Sequence, residues 1–327
     1  RQGGVPLAET VKQLTEELVR EVGKIIIGKE AQIRLIVMAL LAEGHVLLDD
    51  MPGVGKTTMV KTLSLALGCG FKRIQFVPDL LPSDITGMSV YNQKTGDFQR
   101  MDGPVMTNLL LADEINRAIP RTQSALLEAM EEKQVTIDGE TVPLPKPFIV
   151  MATQNPVESE STFQLPAAQM DRFLVRLSLG YPDRREEAMM LEHLGGEMPF
   201  DQVRTVTNAQ EIAEFSCRIR QVYLSGVLGE YIVEIVQATR SHPLLRMGAS
   251  PRASRGLYKA GKAWAAMNGR DFVTPDDLQA LMIPVLAHRL LLTSEARLSG
   301  KTAETIVEEI VSKIPVPPAG EAQFGGR

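Results

Sequence analysis

Five short apolar runs, separated by stretches of helical periodicity, constrain the first half of this chain more than any other feature. They are HVLL at 45–48, FKRIQFV at 71–77, NLLLADE at 108–114, FIVMAT at 148–153 and RFLVRLSL at 172–179. Runs this short and continuous suit strands covered on both faces, as in a parallel sheet, whose strands must be joined by crossovers. Between the runs, Thr57–Leu67 and Thr122–Glu132 space their apolar residues three and four apart, which makes them crossover helices. The class is α/β.

Two stretches break the alternation. EEKQVTIDGETVPLPKPF sets Asp138-Gly139 between two β-favouring runs, and a type I′ hairpin turn needs positive φ at both of its central residues. PDLLPSDITGMSVYNQKTGDFQRMDGPV, 78–105, combines turn residues with a hairpin around Asn92 to Asp97. Both read as insertions projecting from the core. After LGYPDRREE at 179–187 only helical patterns follow, among them TPDDL, where Thr274 caps, Pro275 takes the first helical position and Asp277 completes a capping box. The organisation expected is therefore a core at 1–180, a helical lid domain at 181–315 and a tail at 316–327.

Function enters at VLLDDMPGVGKTT, 46–58. The pattern G-x-x-x-x-G-K-[ST] fits with Gly55, Lys56 and Thr57 in place, but its opening glycine falls on Asp50. A strand running into Gly53, Gly55, Lys56 and Thr57 and then into a helix aims backbone N–H groups and the helix dipole at a phosphate chain, and Pro52, Val54 and Thr58 join the candidate contacts. In that reading Lys56 bridges β and γ oxygens and Thr57 holds Mg²⁺. Asp50 is expected to bend the chain as the glycine would, because Asp tolerates the left-handed region.

Asp113 and Glu114 end the apolar run LLLADE, and ionised side chains at the end of a buried strand cost free energy unless they bind something. Asp113 is the candidate for a second protein position around Mg²⁺, and Glu114 for polarising the attacking water. Asn155, in MATQNP, is placed to orient the same water, although Asn before Pro also starts turns. Arg172 is either half of a surface pair with Asp171 or a finger reaching the γ-phosphate of a neighbouring subunit. In GASPRASRGLYKAGK, Ser250 and Pro251 open a helix with Arg252 in its first turn, where the macrodipole disfavours a cation, so bound ATP is the expected compensation. Arg255, Lys259 and Lys262 follow at helical spacing as a solvated basic stripe. Gly28 joins the candidate contacts to the nucleotide.

Composition narrows the partners. With 35 basic and 40 acidic residues the net charge is −5, which disfavours a strong non-specific nucleic-acid binder. Cys69 and Cys217 have no metal-ligand spacing and read as reduced thiols. The longest apolar stretch, Ile33 to Val46, is interrupted by Arg34, Glu43 and His45. No signal layout precedes it, so the expected location is the cytoplasm.

MPGVGKT, LLLADEINRA…TQSALLEAMEE, MATQNPVE…TFQLPAAQMDRF and SPRASRGL together resemble the MoxR group of AAA+ ATPases over nearly the whole chain. The resemblance implies a five-stranded αβα core with an insert at about 78–105 and a hairpin before the first sensor at about 135–143, followed by a helical lid. It implies Walker A at Gly53, Gly55, Lys56 and Thr57, Walker B at Asp113 and Glu114, sensor 1 at Asn155, an arginine finger at Arg172 and sensor 2 at Arg252. It further implies ATP and Mg²⁺ as ligands, a homo-oligomeric ring, usually hexameric, and protein clients that are remodelled or activated, often with a partner bearing a von Willebrand factor A domain. Asp50, Ser161 and Ala167 depart from the family pattern, the last two near Arg172. The alternative reading is a nucleic-acid translocase or a chelatase-type motor subunit, against which the acidic tip TIDGET weighs.

Overall fold

The computed structural model describes residues 6–51, 53–154, 163–193 and 199–317, without the side chains of 190–193. Contacts divide the chain into two compact units, Gln13–Ser216 and a second made of Arg1–Lys12 with Cys217–Arg327. The helices up to the second division are α1 (Leu7–Gly23), α2 (Glu30–Leu41), α3 (Lys56–Ala66), α4 (Pro82–Thr86), α5 (Pro120–Glu132), α6 (Ala167–Met170), α7 (Arg184–His193) and α8 (Ala209–Ile219). The strands of the same stretch are β1 (Val46–Asp49), β2 (Phe71–Gln75), β3 (Gly87–Asn92), β4 (Asp97–Asp102), β5 (Leu109–Asp113), β6 (Gln134–Ile137), β7 (Glu140–Pro143), β8 (Ile149–Gln154) and β9 (Val175–Leu177).

Five of these strands, one at each apolar run, with β1 and β8 each extending one residue past theirs, form a parallel sheet in the order β2-β5-β8-β1-β9. Leu109 to Ala112 of β5 and Val150 to Ala152 of β8 are wholly buried, as strands inside a covered parallel sheet must be. The edge strand β2 differs from that expectation: only Ile74 is buried, while Lys72, Arg73 and Gln75 are exposed. Among the described residues it is paired on one side only, with β5, whereas the other edge strand, β9, keeps Val175 and Leu177 buried, so the exposure of β2 reflects what covers its faces and not its edge position alone.

The core beside this sheet joins Leu47, Leu110, Ala112 and Val150 to Leu126, Leu127 and Met130 of α5 and to Phe76, Phe148 and Phe173. Burial of each such aliphatic or aromatic side chain contributes about 1.5–3 kcal/mol. One polar residue sits within it. His45, one residue before β1, accepts from the Val150 N–H at Nδ1 (3.0 Å) and donates from Nε2 to the Met130 carbonyl (3.1 Å). Burial disfavours its imidazolium and, with nearby Lys133, outweighs the Met130 carbonyl, so its pKa is pushed down to about 4. The neutral ring thereby fastens β8 and the end of α5 to the start of β1.

Both projecting hairpins form. β6 and β7 turn through Asp138 and Gly139 at φ 49° and 88°, the two positive values that a type I′ turn demands. β3 and β4 pair from Gly87↔Asp102 to Asn92↔Asp97, with the rings of Tyr91 and Phe98 in contact at 5.4 Å on an exposed face. The Asp138 carboxylate accepts from the Ser89 N–H (2.9 Å), so the tip of one hairpin is bonded to the strand of the other.

The second unit carries α9 (Gly226–Ser241), β10 (Leu245–Met247), α10 (Pro251–Met267), α11 (Pro275–Leu286), β11 (Leu291–Leu292), α12 (Ser294–Leu298) and α13 (Ala303–Lys313). Its described regular elements are helices but for the antiparallel pair β10–β11, too short to leave a periodicity in the sequence, and an isolated bridge between Tyr223 and Phe272. Thr274 caps α11 by accepting from Asp277 N, and Asp277 accepts from Thr274 N (2.8 Å), completing the capping box. Asp277 is also gripped by Arg270 through two bonds of 2.5 and 2.6 Å, which keeps a nearly buried carboxylate paired.

Candidate functional site

β1 hands the chain to residues 50–55, and α3 starts at Lys56. Gly53 and Gly55 both take left-handed φ, 86° and 84°, which explains glycine at each. A Cβ built at either would meet nothing within 4 Å, so the space in front of the loop is open. Gly55 is the N-cap of α3 and provides no side-chain acceptor, and the first helical turn holds no acidic residue. An uncapped helix N-terminus behind a glycine loop presents unpaired N–H donors and a positive dipole end, and a phosphate chain fits both. Lys56 Nζ lies inside the loop, donating to the carbonyls of Asp50 (2.9 Å) and Met51 (3.3 Å). Thr57 and Thr58 follow in the first turn, half-buried.

Asp50 behaves differently from the expectation drawn for it. It is not among the residues with positive φ, so it does not copy a left-handed glycine. Its carboxylate is buried and accepts from Ser178 Oγ (2.5 Å), Leu179 N (2.7 Å) and Gly180 N (3.0 Å). Pairing across β1 and β9, invisible in a linear sequence, decides its conformation.

At the carboxyl end of β5, two strands away, Asp113 and Glu114 are locked by polar neighbours. Thr153, at the end of the intervening β8, accepts from Glu114 N (2.8 Å) and donates to Asp113 Oδ1 (2.6 Å). Arg73 of β2 holds Asp113 Oδ2 with Nη2 (2.5 Å) and Nε (3.1 Å). The Glu114 carboxylate accepts from Gln75 Nε2 (2.8 Å) and Arg117 Nη1 (2.9 Å). Glu114 itself has φ 55°, a left-handed value that costs a non-glycine residue free energy and recurs where side chains are held for function. Mg²⁺ takes one or two protein oxygens and fills its shell with water and phosphate, so a Thr57 hydroxyl and an Asp113 carboxylate fit as donors.

Arg73, Gln75, Arg117 and Thr153 escaped the sequence reading. The signal present was the polar alternation of Arg73 and Gln75 in FKRIQ, which puts both side chains on one face of the strand next to Asp113.

Arg172 follows α6, which begins at Ala167. Its guanidinium donates to the Leu127 carbonyl (2.6 Å) and pairs with Glu131 (3.0 Å), both on α5. Gly28 has φ 73°, a left-handed value that favours glycine, and its open side faces the end of the Glu186 side chain. Lys29 beside it donates to the Tyr181 carbonyl (3.3 Å) and pairs with Glu186 (3.6 Å), tying this turn to the chain after β9. Pro52, Asn155 and Ser161 lie outside the described residues.

In the second unit, Ser250 caps α10 and accepts from Arg252 N (3.0 Å), and the Arg252 side chain is exposed in the first turn. The stripe after it is not fully solvated: Lys262 is buried, donating to the Arg220 carbonyl (2.9 Å) with its ammonium 4.5 Å from the centre of the Tyr258 ring. The charge is thus satisfied inside the unit, by a carbonyl and an aromatic face.

A parallel five-stranded sheet with a glycine loop at the end of its fourth strand in spatial order, and a carboxylate pair two strands away, defines a nucleoside-triphosphatase core. Residues 45–175 match the model of the ATPase family associated with various cellular activities (AAA), and 237–310 match the AAA lid domain. The Mycobacterium tuberculosis protein called chaperone MoxR1 is 40% identical over 96% of this chain and 85% of its own length. YeaC of Bacillus subtilis is 50% identical over 94% of this chain and 97% of its own length. A Cytophaga hutchinsonii protein solved as a candidate ATPase superposes with a TM-score of 0.89 at 39% identity, covering 95% of this chain and 97% of that one. The chain belongs to the MoxR family of AAA+ ATPases. Among the described residues no helix is long and apolar enough to cross a membrane.

Proposed function

We propose that this chain hydrolyses ATP in a homo-oligomeric ring, hexameric by the family resemblance, and uses the cycle to remodel or activate protein clients in the cytoplasm. The observation that carries the catalytic part is the pairing of an uncapped α3 N-terminus behind Gly53 and Gly55 with a carboxylate pair at the end of β5, two strands away. Main-chain N–H groups of the loop and Lys56 bind the phosphates. Thr57 and Asp113 hold Mg²⁺, which when bound neutralises charge on the transferring phosphoryl group. Glu114 takes the role of polarising the attacking water, and Gln75 and Arg117 orient its carboxylate until then. Asn155 is assigned to water orientation, Arg252 to the γ-phosphate, and Arg172 to the γ-phosphate bound by a neighbour. Gly28, with Pro52, Val54 and Thr58, is assigned to the nucleotide's surroundings.

A relative is named a chaperone, which supports a protein client over a nucleic acid, as does the net charge of −5. A von Willebrand factor A domain protein is the partner proposed. Lys56→Ala is expected to abolish nucleotide binding, and Glu114→Gln to bind ATP without turnover. Turnover by Glu114→Gln at the unmodified rate contradicts its assignment. A pull-down with Glu114→Gln, with and without ATP, tests the client: recovery of the partner only with ATP supports remodelling, and ATP-dependent retention of single-stranded DNA supports a translocase instead.

A further inference from the structure

Asp50 stands where the phosphate-loop pattern opens with glycine, and the bonds it makes are ones that glycine cannot. Backbone pairing between β1 and β9 stops at Leu48↔Leu177. Side chains reinforce and extend the join: Asp49 reaches back to Arg176 (2.7 Å), and beyond the last pair the buried Asp50 carboxylate takes Ser178 Oγ and the N–H groups of Leu179 and Gly180. The carbonyl of the same residue accepts from Lys56 Nζ at 2.9 Å. One residue therefore grips the loop lysine with its main chain and the segment leaving β9 with its side chain. Hydrogen bonds to an ionised acceptor are about twice as strong as neutral ones. They act where restraint is scarce, since Gly53 and Gly55 have no Cβ to narrow their conformations.

We propose that Asp50 is a positioning residue, pinning the phosphate loop to residues 178–180 so that Lys56 and the N–H groups of the loop are held ready for the phosphates. The inference rests on the nucleotide reading of the loop. Its carboxylate acts before binding, by raising the fraction of molecules whose loop is competent. Apparent affinity scales with that fraction, whereas turnover of the saturated enzyme does not.

The test compares Asp50→Ala, Asp50→Asn, Ser178→Ala and Lys56→Ala, using equilibrium binding of a fluorescent ATP analogue, steady-state ATPase kinetics and amide hydrogen exchange. Alanine fits the Asp50 backbone, which has no positive φ, so that variant removes the carboxylate alone. Asp50→Ala is expected to raise Kd and KM about tenfold with kcat unchanged within about twofold. Ser178→Ala is expected to raise KM about threefold, the effect of losing one of the three bonds, and Asp50→Asn to fall between the two. Ser178→Ala adds nothing to Asp50→Ala, because its acceptor is already gone. Exchange at Leu179 and Gly180 speeds up in Asp50→Ala. A merely structural role would instead lower the active fraction, and with it kcat, at unchanged KM, and that result overturns the proposal. So does an unmodified Kd in Asp50→Ala when Lys56→Ala has lost binding, which leaves the nucleotide reading intact. Undiminished binding by Lys56→Ala removes the nucleotide reading and the pin with it. If Asp50→Ala does not fold, Ser178→Ala decides, and an unchanged KM there counts against the pin.

Discussion

Arg73 grips Asp113 with two bonds to one carboxylate oxygen, at 2.5 and 3.1 Å, from the exposed edge strand of the sheet. The carboxylate proposed to hold Mg²⁺ is thus shared with a cation of the protein's own. Replacing Arg73 by alanine should lower the half-saturating Mg²⁺ concentration for nucleotide binding. Because the guanidinium is substantially exposed, the change should be modest, about two- to fivefold, corresponding to a pair worth about 0.5–1 kcal/mol. A titration in which the Mg²⁺ requirement rises instead identifies Arg73 as a support for Asp113 and not a competitor.

Thr153 Oγ serves both carboxylate residues, accepting from Glu114 N and donating to Asp113. Thr153→Val keeps the shape and deletes the hydroxyl, leaving a main-chain N–H without its acceptor, at a cost of about 1–3 kcal/mol. Urea unfolding should register that loss, and turnover should fall more than nucleotide affinity, since Glu114 loses its restraint while the phosphate loop is untouched. A variant with full turnover would leave Thr153 with a purely structural part.

Arg172 is paired within its own protomer to Glu131 and to the Leu127 carbonyl. If it acts in trans, mixing Arg172→Ala with Glu114→Gln subunits should restore part of the ATPase activity that neither shows alone. In some interfaces of the mixed ring, an intact finger meets an intact cleft. Failure of the mixture to exceed the sum of its components assigns Arg172 to the α5 contact.

His45 links stability to pH. Its pKa is depressed in the folded protein to about 4 from an ordinary 6.5, so below pH 6.5 the unfolded chain binds the proton first. Above that value the residue contributes no pH dependence. Between pH 6.5 and about 4, stability falls as pH falls, by roughly 3 kcal/mol in total, at about 1.4 kcal/mol for each pH unit crossed. His45→Gln should be less stable at pH 7.5, having lost a shaped core residue, yet should show a shallower decline over that window in urea unfolding. An equal slope in both proteins would place the acid sensitivity elsewhere.

Asp277 in the second unit is nearly buried against Arg270. Asp277→Ala removes the partner of that guanidinium together with the capping box of α11, and should cost about 3–5 kcal/mol. Thr274→Ala, which removes the cap and leaves the ion pair, should cost only about 1 kcal/mol. Thermal unfolding of the two variants ranks them.

The apolar runs located the strands within a few residues because a buried parallel strand has to be continuous in hydrophobicity. The one strand not covered as expected, β2, lies at one of the two edges of the sheet, and what covers a strand's faces is a property of partners far away in sequence. Asp138-Gly139 disclosed its hairpin because positive φ at two successive residues admits few residue types. Lys262 resembled its solvated neighbours in charge and spacing, and only the approach of Tyr258 and the Arg220 carbonyl marked it as buried.

The chain's local chemistry determined the α/β class, the glycine loop running into a helix, the hairpin turns and the α11 capping box, since each depends on conformational preferences within a few consecutive residues. Tertiary structure decided which polar groups meet at the strand ends. Arg73, Asp113 and Thr153 come from three strands, with Glu114 directly after the second, and Asp50 reaches residues 128 to 130 positions away. Such bonds are set by the lateral order and register of a parallel sheet, where neighbours in space are joined by long crossovers, and no short window of sequence contains both partners.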